Sequence, residues 1–209
     1  MKTEYKNYFK NTSFLASAVF SLALLILSLV LNHWASEYAT KNASSAVTDL
    51  ILSNIPAFDV ANIFVYGFFI FIAFVFLFSV ANPKIIPFLA KTTALFILIR
   101  AIFIMMTHIG VDSGAVDISV SSLQNMTSNA DLFFSGHTGY PFLCALISWK
   151  QKYLRYFFIL SSVFFGTISL LGHYHYTIDV FAAFFITYGI YQISLNLFKK
   201  EYKVFLEGI

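Results

Sequence analysis

The sequence predicts an all-α integral membrane protein, a bundle of six transmembrane helices with both termini on the cytoplasmic side. Three observations carry this. The 209 residues are 59% hydrophobic and only 11% charged, with a mean hydropathy of +0.77, far from the roughly 45–50% apolar and 25% charged content of soluble domains. The polar residues are gathered between apolar runs that reach or approach the ~20 residues a helix needs to cross a bilayer. The basic residues fall in alternate connections between those runs, as the positive-inside rule requires.

The runs, in order, are Phe14 to Leu31, Ala61 to Val80, Ala94 to Ile109 with some upstream residues, Thr138 to Trp149, Tyr156 to Leu171, and Ile178 to Phe198. The fourth and fifth are short by direct count. Both have polar patches at one end, where a membrane enzyme gives up hydrophobicity for a site. The first has no small-x-small cleavage pattern after it and reads as a retained span, not a cleaved signal. Between the first two runs, Val47, Leu50, Ile51 and Asn54 lie at helical spacing, which suggests a short interfacial helix. The segment from Gly110 to Ala130 is rich in Ser, Asn and Asp and reads as a loop over the site. No internal repeat interrupts residues 1–209, which are expected to form one transmembrane domain.

Lys2, Lys6 and Lys10, then Lys84 and Lys91, then Lys150, Lys152 and Arg155, then Lys199, Lys200 and Lys203 all fall on one side if six spans alternate. The other side keeps only Lys41, beside Glu37, Asp49, Asp59, Asp112, Asp117 and Asp131. That side is expected to be exoplasmic or periplasmic, in a bacterial inner membrane rather than a eukaryotic organelle. The sequons at Asn42 and Asn125 fall there too. The net charge of +3 is thus spent on topology and does not build a nucleic-acid surface. Cys144 is the lone cysteine, so neither a disulfide framework nor a thiolate metal site is available.

The same topology brings all five histidines to the outer face. His33 ends the first span and His108 the third, His137 opens the fourth, His173 and His175 close the fifth, and Asp179 opens the sixth. His175 and Asp179, four residues apart, share a face if the segment is helical, so the carboxylate can hold one imidazole nitrogen and leave the other to act. Taken alone, such a pair is more often a polar helix end. Ser135-Gly136-His137-Thr138 reads as a helix start, whose N–H groups and dipole favour an anion, with His137 beside it to protonate a leaving alkoxide. Pro141 would leave the carbonyl of His137 unbonded in a continuing helix. Arg100 sits inside Phe96-Ile-Leu-Ile-Arg-Ala-Ile-Phe, where a cation costs roughly 2.5–3.5 kcal/mol on insertion scales. A buried anionic partner explains it better than snorkelling, and Thr107 lies two turns on. Together these groups describe phosphoryl transfer through a phosphohistidine.

Asp131-x-x-x-Ser135-Gly136-His137-Thr138 and His173-x-His175-Tyr176-Thr177-Ile178-Asp179-Val180 resemble the signature segments of the sphingomyelin synthase family, a branch of the type 2 phosphatidic acid phosphatase superfamily. Arg100 with Thr107 resembles that family's third-span motif, and the likeness covers roughly residues 90 to 187. The resemblance implies a six-span phosphatidic acid phosphatase-like fold with an outward-facing site. It implies His175 as nucleophile, Asp179 as its orienting partner and His137 as acid and base. Arg100, Asp131, Ser135, Gly136 and Tyr176 are then substrate-binding, with no metal and no cofactor. Asn129-Ala130 stands where the family has Cys-Gly, and Tyr188-Gly-Ile-Tyr-Gln replaces the aromatic string of animal members. The phosphatases' Lys-x6-Arg-Pro is absent, and Ile168-Ser169 stands where their Ser-Arg would be, which favours the synthase-like branch.

The expected activity is transfer of a phospho-alcohol head group from a membrane phospholipid donor to a lipid alcohol of ceramide or diacylglycerol type. Three readings compete with it. One is a lipid phosphatase or phospholipase C-like hydrolase with water as acceptor. Another is a zinc-dependent amidase using His108, His137, His175 and Asp179 as ligands. The last is a non-catalytic transporter or scaffold.

Overall fold

The computed structural model describes residues 8–116 and 132–208, and all regular structure among them is helical. The helices are α1 (Thr12–Lys41), α2 (Ile63–Ala81, opening with a π turn over Ile63–Gly67), α3 (Ile86–Met106, preceded by a 3-10 turn at Pro83–Ile85), α4 (Gly136–Ile147), α5 (Lys152–Leu171), α6 (Thr177–Leu197) and α7 (Lys199–Glu207). Five of them, α1, α2, α3 with its leading turn, α5 and α6, are long and apolar enough to cross a membrane. The chain is an integral membrane protein by that measure. The fourth expected span, α4, has only 12 residues, about 18 Å of helix against a hydrocarbon core of ~30 Å.

α1 packs along α3 through a stripe of small residues, Ala18, Ser21, Ser28, Ala35 and Ala39, all buried. Small side chains let two backbones approach, which is how helices associate where lipid is as apolar as leucine. The Ser21 and Ser28 hydroxyls return to Ala18 O and Leu25 O of their own helix at 2.8 and 2.7 Å, so the stripe buries no unpaired hydroxyl. The opposite face, with Val19, Phe20, Ile26, Leu27 and Leu29, is exposed, as a lipid-facing surface should be. α1 runs to Lys41, ten residues past the apolar run that announces it. Its last turns carry Glu37 and Lys41, paired at 3.5 Å.

The main core fills the space between α2, α3, α4, α5 and α6 with Phe71, Phe88, Phe96, Phe134, Leu143, Phe158, Phe165 and Ile190. Two glycines set how closely α4 enters it. A Cβ on Gly139 would stand 2.8 Å from Thr187 Oγ1 on α6 and 2.9 Å from the Phe96 ring on α3, and one on Gly166 of α5 would stand 3.2 Å from Thr138 Oγ1.

The ends of the helices sort into two groups. At one end the outer connections are stitched together: Ser44 N–H donates to His108 O at 2.8 Å, and Phe58 N–H to Leu171 O at 2.8 Å. At the other end lie the start of α1, the start of α3 and all of α7. Glu201 of α7 accepts from Ser17 of α1 at 3.0 Å and pairs with Lys91 of α3. The start of α1, the start of α3 and α7 therefore meet at one end of the bundle. The expected interfacial helix around residues 47–54 is a single turn instead. Asp49 Oδ1 accepts the N–H groups of Ile51 and Leu52 at 2.9 and 3.0 Å, which winds the backbone tightly but propagates no further.

Candidate active site

The site forms where α4 begins, α6 begins and α3 passes. Ser135 is the N-cap of α4, its Oγ accepting from Thr138 N–H at 3.4 Å and Thr138 Oγ1 at 3.1 Å. Its own N–H donates to Asp179 O at 3.1 Å, so the starts of α4 and α6 are joined directly. Ser162 of α5 donates to Thr138 O at 2.7 Å, which ties α5 to the first turn of α4. Ser135, Thr138, Ser162 and Asp179 are all fully buried.

Arg100 reaches this point from α3. Its Nε donates to Phe134 O at 2.9 Å, and a Cβ on Gly136 would stand 3.3 Å from that nitrogen. Glycine at 136 thus lets the guanidinium lie against the backbone that opens α4. The first-turn N–H groups and a guanidinium are brought to one place, an arrangement suited to phosphate oxygens. His137 lies within electrostatic reach of both Arg100 and His175. Its ring is sandwiched by Phe64 at 3.8 Å and Phe68 at 4.1 Å between centroids, both from α2. The π turn places Phe64 there, and such turns recur at functional sites.

His175 and Asp179 come together, but not on one helical face: His175 lies in the turn before α6, and only Asp179 is on the helix. Nδ1 of His175 is 3.5 Å from Oδ2 of Asp179, and the two side chains are 5% and 0% exposed. That oxygen also accepts Tyr176 N–H at 2.9 Å, which caps α6. Nδ1 of His175 and Oδ1 of Asp179 have no hydrogen-bond partner among the described residues. A small rotation of either group closes the contact, and unliganded sites commonly hold such bonds long.

The turn that carries His175 is fixed from outside by three groups that sequence reasoning missed or placed otherwise. Asp49 caps α6, accepting Thr177 N–H at 2.8 Å and Thr177 Oγ1 at 2.6 Å. Burial, the largest influence, pushes the Asp49 carboxyl up, but hydrogen bonds from Thr177, Leu52 and Ile51 together hold it below its ordinary value. Asp112 meets His173 Nδ1 at 2.8 Å, and His173 adopts the left-handed φ of 56°. Tyr176, expected to bind substrate, directs its hydroxyl to Gly110 O at 2.8 Å and accepts Val47 N–H at 3.2 Å. Its hydroxyl is therefore engaged with the loops.

Of the remaining expected site residues, Asp131 lies outside the described residues. His33 is exposed beside Glu37 at 3.4 Å, and His108 faces the Tyr38 ring at 5.4 Å, so neither stands in the cluster. Among the described residues no three His, Cys, Asp or Glu side chains are grouped to hold a metal ion. Phe64 and Phe68 carried no sequence signal, because 26 phenylalanines give any helix such neighbours. Asp49 did carry one, an Asp ahead of an apolar turn, but its partner lies 128 residues away.

Residues 129–196, about a third of the chain and the part that holds His137, His175 and Asp179, match the family model described as PAP2 superfamily C-terminal. The match supports the type 2 phosphatidic acid phosphatase superfamily, whose members are generally enzymes acting on lipid phosphates. It supports a lipid phosphatase- or phosphotransferase-type function and does not single out the sphingomyelin synthase branch. No curated protein matches the chain, and no solved structure does.

Proposed function

We propose that the protein is a membrane lipid phosphotransferase of the sphingomyelin synthase-like kind. It moves a phospho-alcohol head group from a glycerophospholipid to a lipid hydroxyl of ceramide or diacylglycerol type, through a phosphohistidine. The observation that carries this is that Arg100 of α3 lies against the opening turn of α4, which bears His137, while Ser135 N–H of that turn bonds the carbonyl of Asp179, the partner of His175.

With Nδ1 turned to Asp179, the Nε2 lone pair of His175 attacks phosphorus, and the bond from phosphorus to the glycerol oxygen breaks. His137, as imidazolium, gives its proton to that oxygen, so diacylglycerol leaves neutral. The neutral His137 then takes the proton of the acceptor hydroxyl, whose oxygen attacks phosphorus and releases His175. Arg100 and the first-turn amides behind Ser135 and Gly136 hold the equatorial oxygens, where charge accumulates. Asp131 joins them in contacting substrate. Tyr176 is a positioning residue, since its hydroxyl ties the turn to Gly110 and Val47. The site faces the exoplasmic or periplasmic side, a reading supported by Lys84, Lys91, Lys150 and Lys199 at the ends opposite the histidines.

Water in place of the acceptor gives a lipid phosphatase or phospholipase C-like hydrolase with the same residues, and the family match accommodates both. The Phe64–His137–Phe68 sandwich favours the lipid acceptor, because it walls the general base with apolar rings. Purified protein incubated with phosphate-labelled glycerophospholipids, with and without ceramide or diacylglycerol, tests the reading by lipid mass spectrometry. The expected results are an acceptor-dependent new phospholipid and, on rapid quench, acid-labile, base-stable label that His175→Ala abolishes. Turnover with inversion at phosphorus and no protein label shows direct transfer and removes the nucleophile role.

A further inference from the structure

At the bundle end away from the histidines, a cavity of about 520 Å³ opens between the α4–α5 turn, the start of α3, the inner end of α6 and α7. That volume is in the range of pockets for small ligands and head groups, about 300–1,000 Å³. It lies beyond the C-terminal end of α4, about 18 Å of helix from Ser135, and shares no residue with the site above.

Its chemistry is one-sided. Lys84 and Lys150 converge on it from different segments, Gln151 and Gln192 add amides, and among the described residues no Asp or Glu lines it. Lys41, Lys91 and Lys203 each pair with a glutamate, whereas among the described residues neither Lys84 nor Lys150 has a carboxylate partner. α5 also begins beside the cavity, at Gln151, without a side-chain cap. Two uncompensated cations and an uncapped helix start call for an anion.

The rim is apolar and faces outward. Trp149, Tyr188 and Leu206 line the cavity and are 50%, 53% and 39% exposed, alongside the lipid-facing surface of the bundle. A free inorganic anion uses the lysines but leaves that rim in contact with nothing suited to it. An amphiphile uses both. Basic pockets between helices on the lysine-rich side of a membrane protein are recognised sites for anionic lipid head groups. We infer that this cavity binds the phosphate of an anionic phospholipid, at a site separate from the catalytic one and on the opposite side of the bundle.

The full-length protein in detergent, titrated with phosphatidylglycerol and with chain-matched phosphatidylcholine by native mass spectrometry, tests this. Each lysine near an anionic head group is worth about fivefold in affinity, so the two give a preference of roughly 30-fold. Lys84→Gln with Lys150→Gln is expected to remove most of that preference, and Lys84→Arg with Lys150→Arg to keep it. A photoactivatable phosphatidylglycerol on the unaltered protein should label peptides covering 146–151 and 202–206. The inference is overturned by equal binding of the two lipids, by a preference that survives the double glutamine variant, or by label confined to residues 132–138 and 173–180. Displacement of the lipid by millimolar inorganic phosphate would reassign the site to free phosphate and overturn the lipid assignment. None of these readouts depends on catalysis.

Discussion

Arg100→Lys isolates what the guanidinium contributes beyond charge. Arg100 stands six residues before the end of α3, about 9 Å along the axis, with Nε on Phe134 O at 2.9 Å. Lysine keeps the cation but has no Nε fork. The Phe134 carbonyl loses a charge-assisted bond worth about 1.5–3 kcal/mol, and two phosphate oxygens can no longer be gripped together. Removing one donor to transition-state charge costs about 10²–10³ in rate. The expected loss is therefore about 10²-fold in kcat/KM for Arg100→Lys and at least 10³-fold for Arg100→Ala, mostly in kcat because the charge develops in the transition state. Initial rates with a labelled glycerophospholipid, read by lipid mass spectrometry, measure this, and thermal unfolding controls for folding. Arg100→Ala within tenfold of full activity would show that the cation is structural and refute the phosphate-binding role.

Other outcomes follow from named contacts. His137→Ala should regain part of the first step with a nitrophenyl phosphodiester, whose leaving group needs no proton, whereas His175→Ala should not; equal loss with both donors would remove His137 as the acid. Asp49→Ala should lower the unfolding midpoint by about 2–4 °C at neutral pH, as loss of a cap worth ~1 kcal/mol implies. Because the Asp49 carboxyl titrates below its ordinary value when folded, its contribution is present above the unfolded value near 4 and lost as pH falls through the folded one, so the gap between the two melting curves should narrow as pH falls below the unfolded value. Asp112→Asn, which weakens the 2.8 Å tie to His173, should reduce kcat several-fold with KM nearly unchanged; an equal change in both would mean the tie does not act through His175. A cysteine at position 45 should react with an impermeant reagent added outside cells and one at 152 should not; the reverse pattern would turn the site to the cytoplasm.

Much of the site was legible because its key groups lie close in sequence or open a helix. The His175–Asp179 spacing pointed to a pair that the structure forms across the start of α6, with His175 in the preceding turn, and Ser135 ahead of Gly136 announces the start of α4. Arg100 was legible from its cost in an apolar run. Its nearest described partner was not, because that partner is the backbone carbonyl of Phe134 and a carbonyl leaves no mark on composition. Asp49, Asp112 and the two rings against His137 were hidden for a different reason. Each acts across a gap of at least 61 residues, between a loop and a turn or between two helices, and apolar periodicity says nothing of such pairs. The extent of α1 was misjudged because hydropathy measures the hydrocarbon slab, whereas the helix continues through Glu37 and Lys41 beyond it.

The count of spans and the depth of the site have one cause. α4 begins at the level of Arg100, as the 3.3 Å approach of a Gly136 Cβ to its Nε shows, and not at the outer ends of α3 and α5. A helix start placed there carries unsatisfied N–H groups into a region without water, which is costly unless they find partners. Ser135 takes one such group on its side chain, from Thr138, and another on its carbonyl, from Gly139 at 3.0 Å. The rest point where a phosphate is needed. The same choice removes from α4 the turns that would have completed a span, so 12 residues are left where about 20 would cross. A lipid phosphate that reacts at His175 must therefore come about 9 Å below the outer end of α3, toward its own acyl chains. On the proposed mechanism, that descent favours an acceptor that also arrives from the bilayer, a hydroxyl on a lipid ahead of bulk water.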